Sequence, residues 1–193
     1  PVTTKQSEDM KNRILSTLFM LLLVLTAMGA KKPKYIFYFI GDGMGMSPVL
    51  CAETYNRTVL GNTQPLLMLQ FPVASVATSY SASHTITDSA AGGTALATGH
   101  KTKNGMLGMD ADTVAVKSIA YELQDRGYGI AIATSVAPDD ATPGAFYTHV
   151  DHRNKFYDIT KDMAQSGFDM FAGGQLRGTA PQGQPDVRTV LSN

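Results

Sequence analysis

The stretch KPKYIFYFIGDGMG, residues 32–45, sets the strongest limit on what this chain can become. Tyr35 to Ile40 is an unbroken apolar run rich in aromatic and β-branched side chains, which predicts a buried strand, and Gly41-Asp42-Gly43 predicts a loop at its carboxyl end. Ser47-Pro48 then offers an N-cap and a first-turn proline for a helix through Leu60. The same alternation continues. Further strands are expected over Val73–Thr78, Gly129–Thr134 and Phe168–Ala172. A helix over Ser89–Thr98 has Thr87-Asp88 as its cap, and another over Thr113–Arg126 places Val116, Ile119, Ala120 and Leu123 at helical spacing, with Gly127 as the stop. Thr142-Pro143 opens a helix through Val150, and Lys155–Ser166 forms one more. Strands that alternate with helices, with no tight hairpin signals, predict an α/β fold: a mostly parallel sheet with helices on both faces. Ligands gather beyond the carboxyl ends of such strands. That rule selects Asp42, the Asp88-Ser89 pair, and Asp139-Asp140-Ala-Thr142.

The chain has 193 residues, no formal net charge and 17% charged residues. Neither a basic nucleic-acid surface nor a disordered acidic tail is compatible with that balance. Residues 10–30 join Met10, the basic Lys11 and Arg13, an apolar run from Ile14 to Leu25 and then small residues, the pattern of a secretory signal peptide. An uncleaved membrane anchor is the alternative, and the apolar run is short for a bilayer span. The reading is therefore an exported protein, periplasmic or extracellular. Residues 1–30 are upstream sequence and leader, residues 31–193 the working domain, and no membrane association is expected after cleavage. Cys51 is the single cysteine, so no internal disulfide forms, and the residue is expected to pack within its helix. The stretch from Gln175 to Asn193 has no periodicity.

Each chemical candidate has a structural alternative. Asp42, between two glycines past a strand, suits a hard or borderline cation, and suits a Gly-Asp-Gly turn equally well. Ser89 stands at the head of a helix, where the dipole favours an anion, but Asp88-Ser89 is also ordinary capping. No histidine base stands beside it, and a helix end contributes only about 0.3–2 kcal/mol, whereas ionising an alcohol near neutral pH requires several pKa units at about 1.4 kcal/mol each. A metal ion supplies that difference. Asp140 and Thr142 offer oxygens at a strand-to-helix junction, a candidate Mg²⁺ edge. Arg153 has a planar fork able to take two phosphate oxygens, although an arginine after a helix is usually solvated. His149 and His152 read as structural, and Lys101 and Lys103 as a solvated loop.

Together, GDGMG with Asp42, TDSAAGGTALATGHKTKNGMLG with Asp88 and Ser89, and DDATPGAFYTHVDHR with Asp140, Thr142 and Arg153 resemble alkaline phosphatase, in that family's order and over Tyr35–Gly174. The resemblance implies an alkaline-phosphatase-like fold and a phosphomonoesterase with two Zn²⁺ and one Mg²⁺. Ser89 would be the nucleophile and form a phosphoserine. Asp42 would bridge the second zinc and the magnesium, Thr142 would bind magnesium, and Asp140 would bind it or hold its waters. Arg153 would clamp phosphate oxygens with Asp88 orienting it. Small-molecule phosphate monoesters are the implied substrates, nucleic acid is not, and the full-length enzyme would be a homodimer.

The family's zinc histidines, most of its zinc aspartates and a magnesium glutamate belong to a later half that is not in this sequence. The expectation is therefore an amino-terminal portion of a longer enzyme, incomplete as a fold and inactive alone. Phosphodiesterases and sulfatases of the same superfamily share a metal aspartate and a hydroxyl nucleophile. Arg153 favours monoesters, because a dianionic phosphate leaves two oxygens free for its fork. A non-catalytic secreted metal- or phosphate-binding remnant is the reading from a different class.

Overall fold

The computed structural model describes residues 15–17 and 32–186, and the chain divides into two units, residues 1–40 and 41–193. Most of the expected signal peptide and all of residues 1–9 lie outside the described residues. No described helix is long and apolar enough to cross a membrane.

In the first unit the expected strand at 35–40 is absent. Phe37 is 77% and Phe39 86% exposed, and the strands among the described residues pair only with each other. A buried strand requires a ladder and covered faces, whereas this run is exposed over residues 35–39 and forms no strand. Its rings still report an extended backbone: Tyr35, Phe37 and Phe39 follow one another at 6.5 and 6.4 Å between centroids, as alternate side chains on one face do.

The second unit begins with helix α1, Met46–Thr58, capped by Gly45 without a side-chain hydrogen bond, so Ser47 is not the N-cap. Only Asn56 of this helix is buried. Cys51 is exposed rather than packed, because α1 turns most of its surface to solvent. A short 3₁₀ turn, Leu67–Gln70, follows. The strand expected at Val73–Thr78 is not formed, and Val73 and Val76 are solvent-facing.

Helix α2, Ser89–Thr98, has the bounds that its sequence predicts. Asp88 accepts from the Ala91 N–H at 2.9 Å, and Gly99 closes the helix at a φ of 77°, the left-handed conformation that favours glycine. Helix α3 is shorter than expected, Ile119–Asp125, with Ser118 as its N-cap. The reason lies upstream. The Asp110 carboxylate accepts from the N–H groups of Asp112 and Val114, Thr113 takes a φ of 65°, and Ala115 bridges to Met109, so residues 110–115 make a turn instead of helix.

Strand β1, Ala131–Ala133, is followed by α4, Ala141–Gly144, then α5, Phe156–Gln165, then β2, Met170–Ala172. β1 and β2 are parallel, with Ala131 opposite Met170, Ile132 opposite Phe171 and Ala133 opposite Ala172. This βαβ arrangement is the parallel-sheet logic read from the sequence, built among the described residues from two strands rather than four. Both strands are shorter than expected, and β1 exposes alternate residues instead of being buried throughout. α4 stops early because Val150 leaves the helical path to bridge Leu107. The core is small residues of α2 (Ala90, Ala91, Ala97) set against Leu107, Tyr147 and Ile159, all nearly or fully buried. Burial pushes the Tyr147 phenol far up, which keeps it a proton donor to the Pro138 carbonyl at 2.5 Å.

Candidate active site

Three segments far apart in sequence meet at one carboxylate. Asp42 Oδ1 accepts a hydrogen bond from Ser89 Oγ at 3.2 Å, and Asp42 Oδ2 accepts one from Thr142 Oγ1 at 3.0 Å. Each hydroxyl is set by a helix start. Ser89 is the first residue of α2 and Thr142 lies in the first turn of α4. The two helices can approach because Gly93 lacks a side chain: a Cβ there would stand 3.3 Å from both Ala145 Cβ and Thr142 Cα. Close packing therefore accounts for Gly93. Gly92 has more room, its nearest neighbour being Thr87 at 3.5 Å.

Asp88 works in two directions. One oxygen caps α2, and the other accepts from the Gly105 N–H at 3.0 Å and faces Arg153 Nη1 at 3.5 Å. Helix geometry leaves the Ser89 and Ala90 amides without intrahelical acceptors, so they add positive potential beside the Ser89 hydroxyl. Gly105 ties the pair together, because its carbonyl also accepts from the Arg153 N–H at 2.7 Å. Its φ of 90° requires glycine. The Asn104 side chain accepts from the Asp88 N–H at 3.3 Å. Asn104-Gly105 is a turn dipeptide, the cue that could have moved this loop from solvated to structural. Lys101, in the same loop, is exposed as expected and lies over the Tyr80 ring at 3.3 Å from its centroid.

Asp140 caps α4 through the Ala141 N–H at 2.7 Å and pairs with Arg153 Nη2 at 3.2 Å through the same oxygen, Oδ1. Its other oxygen pairs with Arg177 Nη2 at 3.1 Å. Arg177 was invisible to periodicity. Arg153 is thus held between Asp88 and Asp140, its side chain 29% exposed, while Asp42, Ser89 and Thr142 share one solvent-accessible edge. All the predicted site residues fall into these two linked groups. His149 and His152 do not join them: the His149 ring meets the Val116 carbonyl at 3.2 Å, and His152 Nδ1 accepts from the Asn154 N–H. A hollow of about 350 Å³ lined by Asp151, Lys155, Asp158 and Lys161 shares no residue with the site, and its lysines pair with its own aspartates.

The chain that carries these residues is similar to a known family. The family model for alkaline phosphatase matches residues 33–178. Alkaline phosphatase 4 of Drosophila melanogaster is 32% identical over 162 residues, which is 78% of this chain and 27% of that protein. Streptomycin-6-phosphate phosphatase of Streptomyces griseus is 34% identical over 168 residues, 82% of this chain and 36% of that protein. The alkaline phosphatase of the Antarctic bacterium TAB5 has a similar fold, with a TM-score of 0.67 at 30% identity, over 79% of this chain and 43% of that one. A mutant of that enzyme with Mg bound in the M3 site gives a TM-score of 0.64 at 31% identity, covering 73% and 41%. The chain spans less than half the length of these relatives. Matched by the family model over most of its length, and by relatives in sequence and fold, the chain belongs to the alkaline phosphatase family.

Proposed function

We propose that this chain supplies the nucleophile and the phosphate-orienting arginine of an exported, metal-dependent phosphate monoesterase that works through a phosphoserine. The observation that carries the reading is Asp42, one carboxylate engaging the hydroxyls of Ser89 and Thr142, which lie 47 and 100 positions away. The monoester reading draws further support from a relative named for streptomycin-6-phosphate, a small-molecule phosphate.

The donor set fits a cation. Asp42, Ser89 and Thr142 present only oxygens, the ligands that hard divalent ions select. Asp42 and Thr142 would hold Mg²⁺, with Asp140 next to Thr142 as a further ligand or a holder of its waters, and Asp42 and Ser89 would face one of two Zn²⁺ ions. Among the described residues no group of three or more His, Cys, Asp or Glu side chains could hold a metal ion, so the zinc ions would take their other ligands from outside them. Bound cations of this kind stabilise an alkoxide and the charge that develops on transferring phosphoryl oxygens. The chemistry is accordingly assigned to the complete enzyme, as a homodimer, rather than to residues 31–193 alone.

On this reading each of the chain's own residues takes one role. The Ser89 proton points at Asp42 Oδ1, which leaves an Oγ lone pair free to attack phosphorus. The Oγ–P bond forms as the bond from phosphorus to the alcohol oxygen breaks, the Ser89 proton passing to solvent and the departing oxygen taking one from it, and water later cleaves the phosphoserine to free Ser89 and inorganic phosphate. The head of α2 supports the negative phosphoryl group through its amides and dipole. Arg153, held by Asp88 at Nη1 and by Asp140 at Nη2, would offer its planar fork to two phosphate oxygens on turning from Asp140. In the complete protein, Ser89→Ala is expected to abolish covalent labelling by radioactive phosphate at acid pH. Labelling that survives the substitution excludes Ser89 as the nucleophile.

A further inference from the structure

Arg177 lies in the stretch after β2 that has no periodicity, yet both its main chain and its side chain are held. Its N–H and that of Gly178 donate to the Asp139 carboxylate at 2.9 and 2.8 Å. Asp139 is 0% exposed and also faces Thr160 Oγ1 at 3.4 Å. A carboxylate is buried at such a place only when hydrogen bonds compensate its lost hydration, and here they fix a turn. Gly178 permits the approach, since a Cβ would lie 3.1 Å from the Phe156 carbonyl oxygen and from Thr160 Oγ1. Docked in this way, the Arg177 guanidinium passes over the Phe156 ring at 5.6 Å and reaches Asp140 Oδ2. The neighbouring carboxylates Asp139 and Asp140 therefore grip the two ends of one arginine.

We propose that Arg177 is a positioning residue for phosphate: it keeps Asp140 charge-paired, so that Arg153 is free to turn from that carboxylate to an incoming phosphate. The inference rests on the phosphatase reading above. Asp140 is only 11% exposed, and a poorly hydrated carboxylate resists losing a guanidinium partner. Without Arg177, each phosphate binding event would leave Asp140 with no guanidinium partner. Arg177 removes the penalty. It meets Oδ2 while Arg153 meets Oδ1, so the departure of one guanidinium does not disturb the other.

The test measures inhibition by inorganic phosphate in the complete metal-loaded protein, together with KM, kcat and the melting midpoint. Arg177→Ala is expected to weaken phosphate about fivefold, the scale of a partly exposed ion pair, and to raise KM without lowering kcat. Arg177→Lys restores most of the loss. Folding is protected in both, because Asp139 grips the main chain rather than the side chain. In an Arg153→Ala background, removing Arg177 is expected to change phosphate binding no further. Unchanged phosphate inhibition in Arg177→Ala, with or without a lower melting midpoint, overturns the proposal, and so does an equal second loss in the Arg153→Ala background. Wild-type protein that binds no phosphate overturns the phosphatase reading as well, which separates the two failures.

Discussion

Residues 46–80 and residues 89–172 obey the same chemistry with opposite outcomes. In the later region Leu107, Tyr147 and Ile159 are closed off from water, whereas in the earlier one Leu50, Phe71, Val73 and Val76 are 62–81% exposed. α1 nevertheless forms, because it is held by local polar contacts: Glu53 pairs with Arg57 and accepts from the Leu66 N–H at 2.8 Å, and the Asn56 side chain donates to the Gln64 carbonyl at 3.0 Å. Side chains can define a helix and its following turn without enclosing a core. The catalytic candidates are placed by the other means, since α2 and α4 owe their separation to buried packing at Gly93.

The comparison breaks most visibly at glycines. A Cβ at Gly108, with a φ of 61°, would lie 1.9 Å from the Thr148 carbonyl oxygen, whereas at Gly61, with a φ of 65°, it would meet nothing. Gly108→Ala is expected to destabilise the full chain by about 4 kcal/mol or more in urea unfolding, and Gly61→Ala by about 1 kcal/mol from backbone strain alone. Equal effects would erase the distinction. Next in size, Ile159→Ala, at a fully buried position, should lose about 3 kcal/mol, whereas Val76→Ala, 80% exposed, should stay within about 0.5 kcal/mol. A large loss at Val76 would show that residues 73–78 are covered in solution.

Within α2 the contrast narrows to adjacent residues. Gly92→Ala should gain up to about 1 kcal/mol from helix propensity, while Gly93→Val should lose about 1–3 kcal/mol by forcing α2 from α4, both read from melting curves. The smallest effect is electrostatic. The Leu66 N–H, and after it Arg57, hold the Glu53 carboxyl below the usual carboxylate range. A depressed value stabilises the fold above the unfolded carboxyl's pKa, and the contribution is lost as pH falls through the lower folded value. Acid titration followed by the amide shift of Leu66 should show this step in the wild type and none in Glu53→Gln.

Local chemistry was the legible part of this chain. α2 could be read to the residue, because Asp88 and Gly99 mark its ends by mechanisms that need no distant partner. Gly127, with its φ of 82°, ends the α3 segment for the same reason. Asp42, Ser89 and Thr142 were legible as a group through their neighbours in sequence, and the structure brings them within hydrogen-bond reach. What local pattern could not decide was anything that needs a partner. The runs at 35–40 and 73–78 have strand composition, but pairing is a property of two segments, and only β1 and β2 supply it among the described residues. Arg177 failed for the converse reason: nothing beside it in sequence indicates that Asp139 and Asp140 wait for it across a βαβ unit.

The long sequence separations at Asp42 have a consequence for when the site comes into being. Loops of this length close late in folding, after nearer contacts have reduced the entropy of the chain. Until α4 docks on α2 and the loop at Asp42 closes, Ser89 is an ordinary alcohol on a helix end, with neither Thr142 nor Asp42 at hand. A chain trapped half-folded would carry Asp42, Ser89 and Thr142 and none of their geometry.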